Sequence, residues 1–396
     1  MRRSPRLGRG LVAATAVIGA AIGVWPAVPA VADTTTVGTL RVTLDHGVLT
    51  IEGGPSRNAI VLARNDDRNL TLNNRPLIVA GAPVRVADLE RIRMIGGEAD
   101  DILRVSALID APAVELRGGP GNDILDGGAG PDLLDGGPGI DAIDGGPGSD
   151  EIIGGTGNDK IIGGEGDDVV DTGDGSDQIT WTPGSGSDVI EGGSGTDTLV
   201  FDGSDSSDTV EFGAGVRHAI LTRGAPGTDR DRLVLSGIEN VKANLARGVD
   251  STVIGELAST GIRLVQVTHA TSNDSGSDTV TIVGTTHGDR LRVFGDRPPA
   301  SAPAVVTVGG QLPTVQLSGA ENLVLIGGAG DDILDAGRLA AGILALTASG
   351  GPDNDTLIGT TGNDRLFGDA GDDHIDGRTG EHDVLDGGPG NNVIVP

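Results

Sequence analysis

Aspartates recur every nine residues at Asp123, Asp132, Asp141, Asp150, Asp159, Asp168 and Asp177, and after a two-residue insertion at Trp181-Thr182 the series resumes with Asp188 and Asp197. A second, shorter series carries Asp355, Asp364, Asp373 and Asp383, and its last unit replaces the acid with Asn392. Carboxylates are hard oxygen donors, and a regular file of them suits a cation that takes six to eight oxygen ligands, as Ca²⁺ does. Such regularity marks stacked repeats, each one a supersecondary unit that cannot bury its own core.

The elements that must position these acids are legible in the unit itself. The first runs Gly118-Gly-Pro-Gly-Asn-Asp-Ile-Leu-Asp126 and is followed by GGAGPDLLD, GGPGIDAID, GGPGSDEII and related units. Glycines permit backbone angles closed to other residues, so the first six residues form a tight turn with carbonyls aimed outward. The last three form a short strand with one inward side chain. That place, two after each aspartate, is always aliphatic: Leu125, Leu134, Ile143, Ile152, Ile161, Val170, Ile179, Ile190 and Leu199, then Leu357, Leu366, Ile375, Leu385 and Ile394. Two units close one coil, which puts Asp123, Asp141, Asp159 and Asp177 on one edge and Asp132, Asp150 and Asp168 on the other. With coils about 4.8 Å apart, each gap offers carboxylates from above and below plus turn carbonyls. Carboxylates about 5 Å apart repel by roughly 1 kcal/mol in water and about 3 kcal/mol at an effective dielectric of 20. A divalent ion in the gap reverses that sign and makes binding energy into folding energy, so the metal-free arrays are expected to be largely disordered.

At these residues the chain resembles the repeats-in-toxin, or haemolysin-type, calcium-binding family, over about 118 to 200 and 350 to 395, with single degenerate units at Gly96 and Gly327. The resemblance implies an all-β fold, a right-handed parallel β-roll, with the sixth-place aspartates as side-chain ligands of several Ca²⁺ ions. It also implies a secreted protein, of the kind found in high-GC bacteria. The pattern departs from many members in having an N-terminal export sequence and no upstream toxic or enzymatic domain in view.

The rest of the sequence is consistent with export and with cation binding. Arg2, Arg3, Arg6 and Arg9, the apolar run Leu11 to Trp25 and the Ala30-Val31-Ala32 stretch read as a signal peptide over 1–32. No other stretch reaches the length of a membrane span, so no transmembrane segment is expected after its removal. The formal charge is −29, with 68 Gly, no Cys and no Tyr. That balance repels nucleic acid and anionic lipid and favours cations, and the core must be narrow and aliphatic.

Beyond the arrays, a larger duplication is visible. Thr50-Ile51, Gly53, Glu90, Gly96-Gly97 and Asp100-Asp101-Ile102-Leu103 reappear 231 residues later as Thr281-Ile282, Gly284, Glu321, Gly327-Gly328 and Asp331-Asp332-Ile333-Leu334. The chain therefore divides into the signal peptide, a β-rich leader (33–117), the first array (118–200), a degenerate β-rich module (201–275), a second leader (276–349) and the second array (350–396). Within the degenerate module, Ser236-Gly-Ile-Glu-Asn-Val241 faintly echoes Ser318-Gly-Ala-Glu-Asn-Leu323. The leaders alternate β-branched and polar residues between turn signals, which is compatible with a small sandwich or with a continued solenoid. Only Ala87 to Arg93 and Leu339 to Leu346 read as short helices.

Catalytic patterns are sparse: there is no H-E-x-x-H, no G-x-S-x-G and no cysteine. The six histidines, His46, His218, His269, His287, His374 and His382, are scattered singly, and His374 reads as a surface residue. Paired carboxylates such as Asp167-Asp168 and Asp372-Asp373 imitate a glycosidase couple, but the nonapeptide already accounts for them. The Asp202 to Asp208 stretch reads either as a seat for one more cation or as a solvated turn. The expectation is a noncatalytic, secreted or cell-surface calcium-binding scaffold with extracellular polymers as partners. The alternative is a hydrolase or lyase whose site lies in a leader or in 201–275.

Overall fold

A computed structural model of the chain describes residues 33–37, 40–106, 112–224, 231–269, 277–295, 305–309 and 313–396. The expected signal peptide, 1–32, lies outside the described residues. Each nonapeptide contributes one strand, and successive strands alternate between two facing parallel sheets. Ile124–Asp126 pairs with Ala142–Pro147 in one sheet, and Leu133–Pro138 pairs with Glu151–Thr156 in the other. Register partners are two units apart, as in Leu125↔Ile143 and Leu134↔Ile152. The fold is an all-β parallel β-roll.

Glycine is compulsory at the turn because coils touch through their backbones. Gly157 has φ +136° and Gly164 has φ +117°, and a Cβ on either would collide with the carbonyl oxygen of Gly139 or Gly146 in the preceding coil. Between the sheets lies one aliphatic file. Every inward residue of the first array, from Leu125 to Leu199, is no more than 2% exposed. The insertion after the seventh unit brings Trp181 inward, where it stacks on Phe201 with ring centroids 4.9 Å apart.

Outside the arrays, the two sheets simply continue, with 19 strands in one and 18 in the other among the described residues. Of the two arrangements left open for the leaders, the solenoid is the one adopted. Val48–Glu52 pairs in parallel with Arg91–Ile95, which pairs with Val114–Arg117 at the edge of the first array. The modules outside the arrays differ from them by antiparallel excursions. Thr209–Ala214, Ala219–Arg223 and Asp231–Ser236 fold back and forth within one sheet. Arg290–Gly295, Val305–Gly309 and Thr314–Ser318 do the same in the other. Each excursion adds strands to one sheet only, and Leu40–Asp45 with Val48–Glu52 in the first sheet and Ala59–Arg64 with Leu70–Leu72 in the second also pair antiparallel. Neither anticipated helix forms as an α-helix. Val86–Asp88 is a single 3₁₀ turn, and Arg91–Ile95, Ile333–Leu339 and Ala345–Pro352 are strands. The parallel neighbours that these segments meet in the stack outweigh a weak local preference.

Candidate metal centres

The sixth-place aspartate ends the turn and precedes the strand, so the stacking of strands stacks the aspartates as well. Each carboxylate reaches back one coil and accepts the backbone N–H of the aspartate before it. Asp141 Oδ1 takes the N–H of Asp123 at 2.7 Å, Asp159 that of Asp141 at 2.8 Å and Asp177 that of Asp159 at 2.7 Å. Along the other edge, Asp150 takes Asp132, Asp168 takes Asp150 and Asp188 takes Asp168, at 2.8, 2.8 and 2.9 Å. Asp197 Oδ1 then accepts from Asp177. In the second array Asp373 accepts from Asp355 and Asp383 from Asp364, both at 2.9 Å. The acids therefore form two continuous ladders rather than pointing into solvent.

One oxygen of each carboxylate is thus committed, and the other is not. Oδ2 of Asp123, Asp132, Asp141, Asp150, Asp159, Asp168, Asp177, Asp197, Asp355, Asp373 and Asp383 is enclosed and meets no protein donor. A buried charged oxygen without a partner costs about 1 to 3 kcal/mol or more, and here the arrangement repeats down both edges. From Gly118 to Gly154 these oxygens converge with carbonyls in front of the first glycine of the unit, while Thr172 and Pro183 take that place before Asp177 and Asp188. A Cβ on Gly136 would lie 2.5 Å from Asp141 Oδ2 and 2.6 Å from Gly154 O, and one on Gly127 would lie 2.6 Å from Gly145 O and 2.9 Å from Asp132 Oδ2. In these units the first glycine is required for the space that it leaves. A cradle of carboxylate and carbonyl oxygens, with no nitrogen or sulfur donor, fits a hard divalent cation such as Ca²⁺.

Burial drives the electrostatics of the metal-free cradle. Loss of solvent pushes Asp132, Asp141, Asp150, Asp188 and Asp355 up to about 7, and Asp123, Asp159, Asp168 and Asp197 up to about 6, against the lowering effect of the ladder N–H. Neighbouring carboxylates reinforce the rise, as Asp159 and Asp123 do for Asp141. Three members of the predicted set sit differently: Asp188, whose Oδ2 is not among the unpartnered oxygens, Asp364 and Asp383. Asp364 is raised by burial, but its Oδ2 accepts from the N–H of its own Thr360 at 2.6 Å. Asp383 lies near the open end, where Ile394 is 42% exposed.

Further residues share the ladders. Asp101 and Asp332 accept from Asn58 and Asp289, and Asp123 and Asp355 then accept from them. Asp250 accepts from Asp208 and Asp278 from Asp250. Glu239 and Glu321 take the same place for the N–H groups of Asp197 and Asp278, which gives the faint echo between 236–241 and 318–323 a common structural role. The signal for all of these is an acid two residues before an inward aliphatic or Thr at the head of a strand, as in Asp101-Ile-Leu103 and Asp208-Thr-Val210. A second, exposed ladder runs through the fifth place: Asn122 Oδ1 accepts from Ile140 and Asn158 Oδ1 from Ser176. Its signal is the recurrent Asn or Asp just before the ladder aspartate.

At two places outside the arrays, one in the first leader and one in the degenerate module, the protein supplies its own donors, whereas Asp101 and Asp332 keep the unpartnered Oδ2 seen in the arrays. Asn58 stands where an array has Asp, and its Nδ2 donates to Gly96 O and Gly54 O at 3.0 Å and to Ser56 O at 2.5 Å. Asp208, 2% exposed, is bound by Arg223 through Nε at 2.8 Å and Nη2 at 2.7 Å. Within the Asp202 to Asp208 stretch, Asp205, Ser206 and Ser207 form an exposed turn, whereas the buried Asp208 is not an extra cation seat, because a guanidinium already fills that role.

The RTX calcium-binding nonapeptide repeat family matches residues 115–143, 144–179, 184–216, 324–338, 349–381 and 379–395. The chain carries RTX calcium-binding repeats. The matches cover both arrays and reach into the neighbouring modules at 201–216 and 324–338. No curated protein matches the chain.

Proposed function

We propose that this is a secreted, noncatalytic RTX protein, an extracellular or cell-surface scaffold whose roll closes on Ca²⁺. In this reading Asp123, Asp132, Asp141, Asp150, Asp159, Asp168, Asp177, Asp188 and Asp197 hold ions in the first array, and Asp355, Asp364, Asp373 and Asp383 hold them in the second. The observation that carries it is the file of enclosed Oδ2 atoms facing glycine cradles. The Arg-rich start followed by an apolar run supports export, and the net charge of −29 favours cationic partners over nucleic acid. No helix among the described residues is long and apolar enough to cross a membrane.

The carboxylate pairs that imitate an acid/base couple support the noncatalytic reading. Asp168 accepts from Asp150 N–H inside the roll, while Asp167 accepts from Ser187 N–H on the outer ladder. Asp373 and Asp372 divide in the same way between Asp355 and Asn391. Both members of each pair are committed to backbone bonds and do not face each other across a cleft. Circular dichroism in chelator and in millimolar calcium tests the switch: strand signal should appear with Ca²⁺, with affinity on the order of 10⁻⁴ to 10⁻³ M, and equal spectra would overturn it. Turnover of polysaccharide, ester or peptide panels by the calcium-loaded chain would overturn the noncatalytic part.

A further inference from the structure

Between the arrays, the ladder passes through a coil whose donors are not all oxygen. We propose that Asp250, His269 and Asp278 form a site for a transition-metal dication of the zinc class, separate from the calcium cradles. One donor atom from each residue lies within 4.8 Å of the other two. Their exposures are 1%, 2% and 1%, and His269 is the only buried histidine of the six in the chain.

The topology explains how they meet. Asp250 and Asp278 head Ser251–Ile254 and Thr279–Val283, neighbouring parallel strands of one sheet. The ladder bond from Asp250 N–H to Asp278 Oδ1, 2.8 Å, holds the two carboxylates one coil apart. His269 ends Leu264–His269 in the opposite sheet and brings its imidazole from across the turn.

This coil also lacks what makes a calcium cradle. Five residues before Asp123, Asp132, Asp141 and Asp150 stands a glycine whose missing side chain leaves room for the ion; five before Asp250 stands Leu245, 2% exposed and the register partner of His269. The glycine space is filled, and an imidazole is provided in its stead. Imidazole with carboxylate oxygens is a donor set for Zn²⁺ and its first-row neighbours, whereas Ca²⁺ takes oxygen. Two carboxylates and a neutral imidazole carry two negative charges, which one dication offsets inside the roll.

The test uses the untagged full chain, stripped with chelator, refolded in millimolar Ca²⁺ with Zn²⁺ added, and passed through gel filtration in Ca²⁺ before metal analysis. About one Zn²⁺ per chain should remain, and His269→Gln should lose it while keeping the calcium-induced circular dichroism change. Loading the wild type with Co²⁺ should give one set of paramagnetically shifted imidazole proton signals, a readout that holds even if His269→Gln fails to fold. Wild type that retains no Zn²⁺, His269→Gln that retains as much as wild type, or a Co²⁺ form without shifted imidazole signals would each overturn the site.

Discussion

The first array and the leader turns share one backbone plan and differ in what neutralises it. At Asp141 the second carboxylate oxygen faces Gly154 O across the space before Gly136, with no protein donor. At Asn58 the same place holds an amide nitrogen that donates to the equivalent carbonyl, Gly96 O. At Asp208 the acid is kept, and Arg223 supplies the cation. One coil geometry can thus be closed by an external ion or by a donor built into the chain. The arrays, and the adjoining cradles at Asp101 and Asp332, should therefore depend on calcium, and the coils at Asn58 and Asp208 should hold without it.

Chelation gives the broadest test of that contrast and the largest expected effect. Hydrogen exchange in chelator should show protection lost across 118–200 and 350–395 and retained around Asn58 and Asp208; uniform loss would erase the distinction. Next in size is Arg223→Ala, which leaves Asp208 buried without its cation, held only by Ser204 among the described residues. Removing one partner of a buried ion pair costs about 3 to 5 kcal/mol, so the melting temperature of the calcium-loaded chain should fall clearly, with the calcium midpoint of the arrays little changed.

Within the array, Asp150→Asn keeps the acceptor for Asp132 N–H but removes the charge from a cradle with coils on both sides. The calcium midpoint should rise about tenfold, the equivalent of 1.4 kcal/mol within the range for an orphaned buried group. The same change at Asp383, near the frayed end, should do less. Equal midpoints would sink the idea that position in the stack governs cooperativity. In the opposite direction, Asn58→Asp should convert a self-closed coil into an ion-dependent one, destabilising the metal-free chain by about 1 kcal/mol and adding a calcium-dependent recovery.

The smallest effect concerns pH. Burial raises the ladder carboxyls from an ordinary 3.8 to about 6 or 7 in the metal-free roll, so the folded form binds more protons than the open chain. Without calcium, that contribution favours the roll below about pH 4 and is lost as the pH rises through 6 to 7. With calcium the ion must displace those protons, so the calcium midpoint should climb as the pH falls below about 7. A titration series at pH 5.5 and 7.5 in circular dichroism reads the sign directly.

The arrays were open to reading because one residue type at one period carries both turn and ligand: Asp123 to Asp177 mark the edges, and Leu125 to Ile179 mark the core. Local chemistry alone dictates such a coil, since each unit meets only copies of itself. The leaders obey no fixed period. The antiparallel excursions, in the degenerate module and in the second leader, are inserted between parallel strands of the continuing sheets, and that is a property of the stack. For the same reason, Arg223 reaching Asp208 and His269 meeting Asp250 and Asp278 follow from strand register across coils, where residues far apart in the chain become neighbours about 4.8 Å apart. What the repeat wrote unaided was the calcium arrays; which acids the protein neutralises by itself was decided only when the coils were stacked.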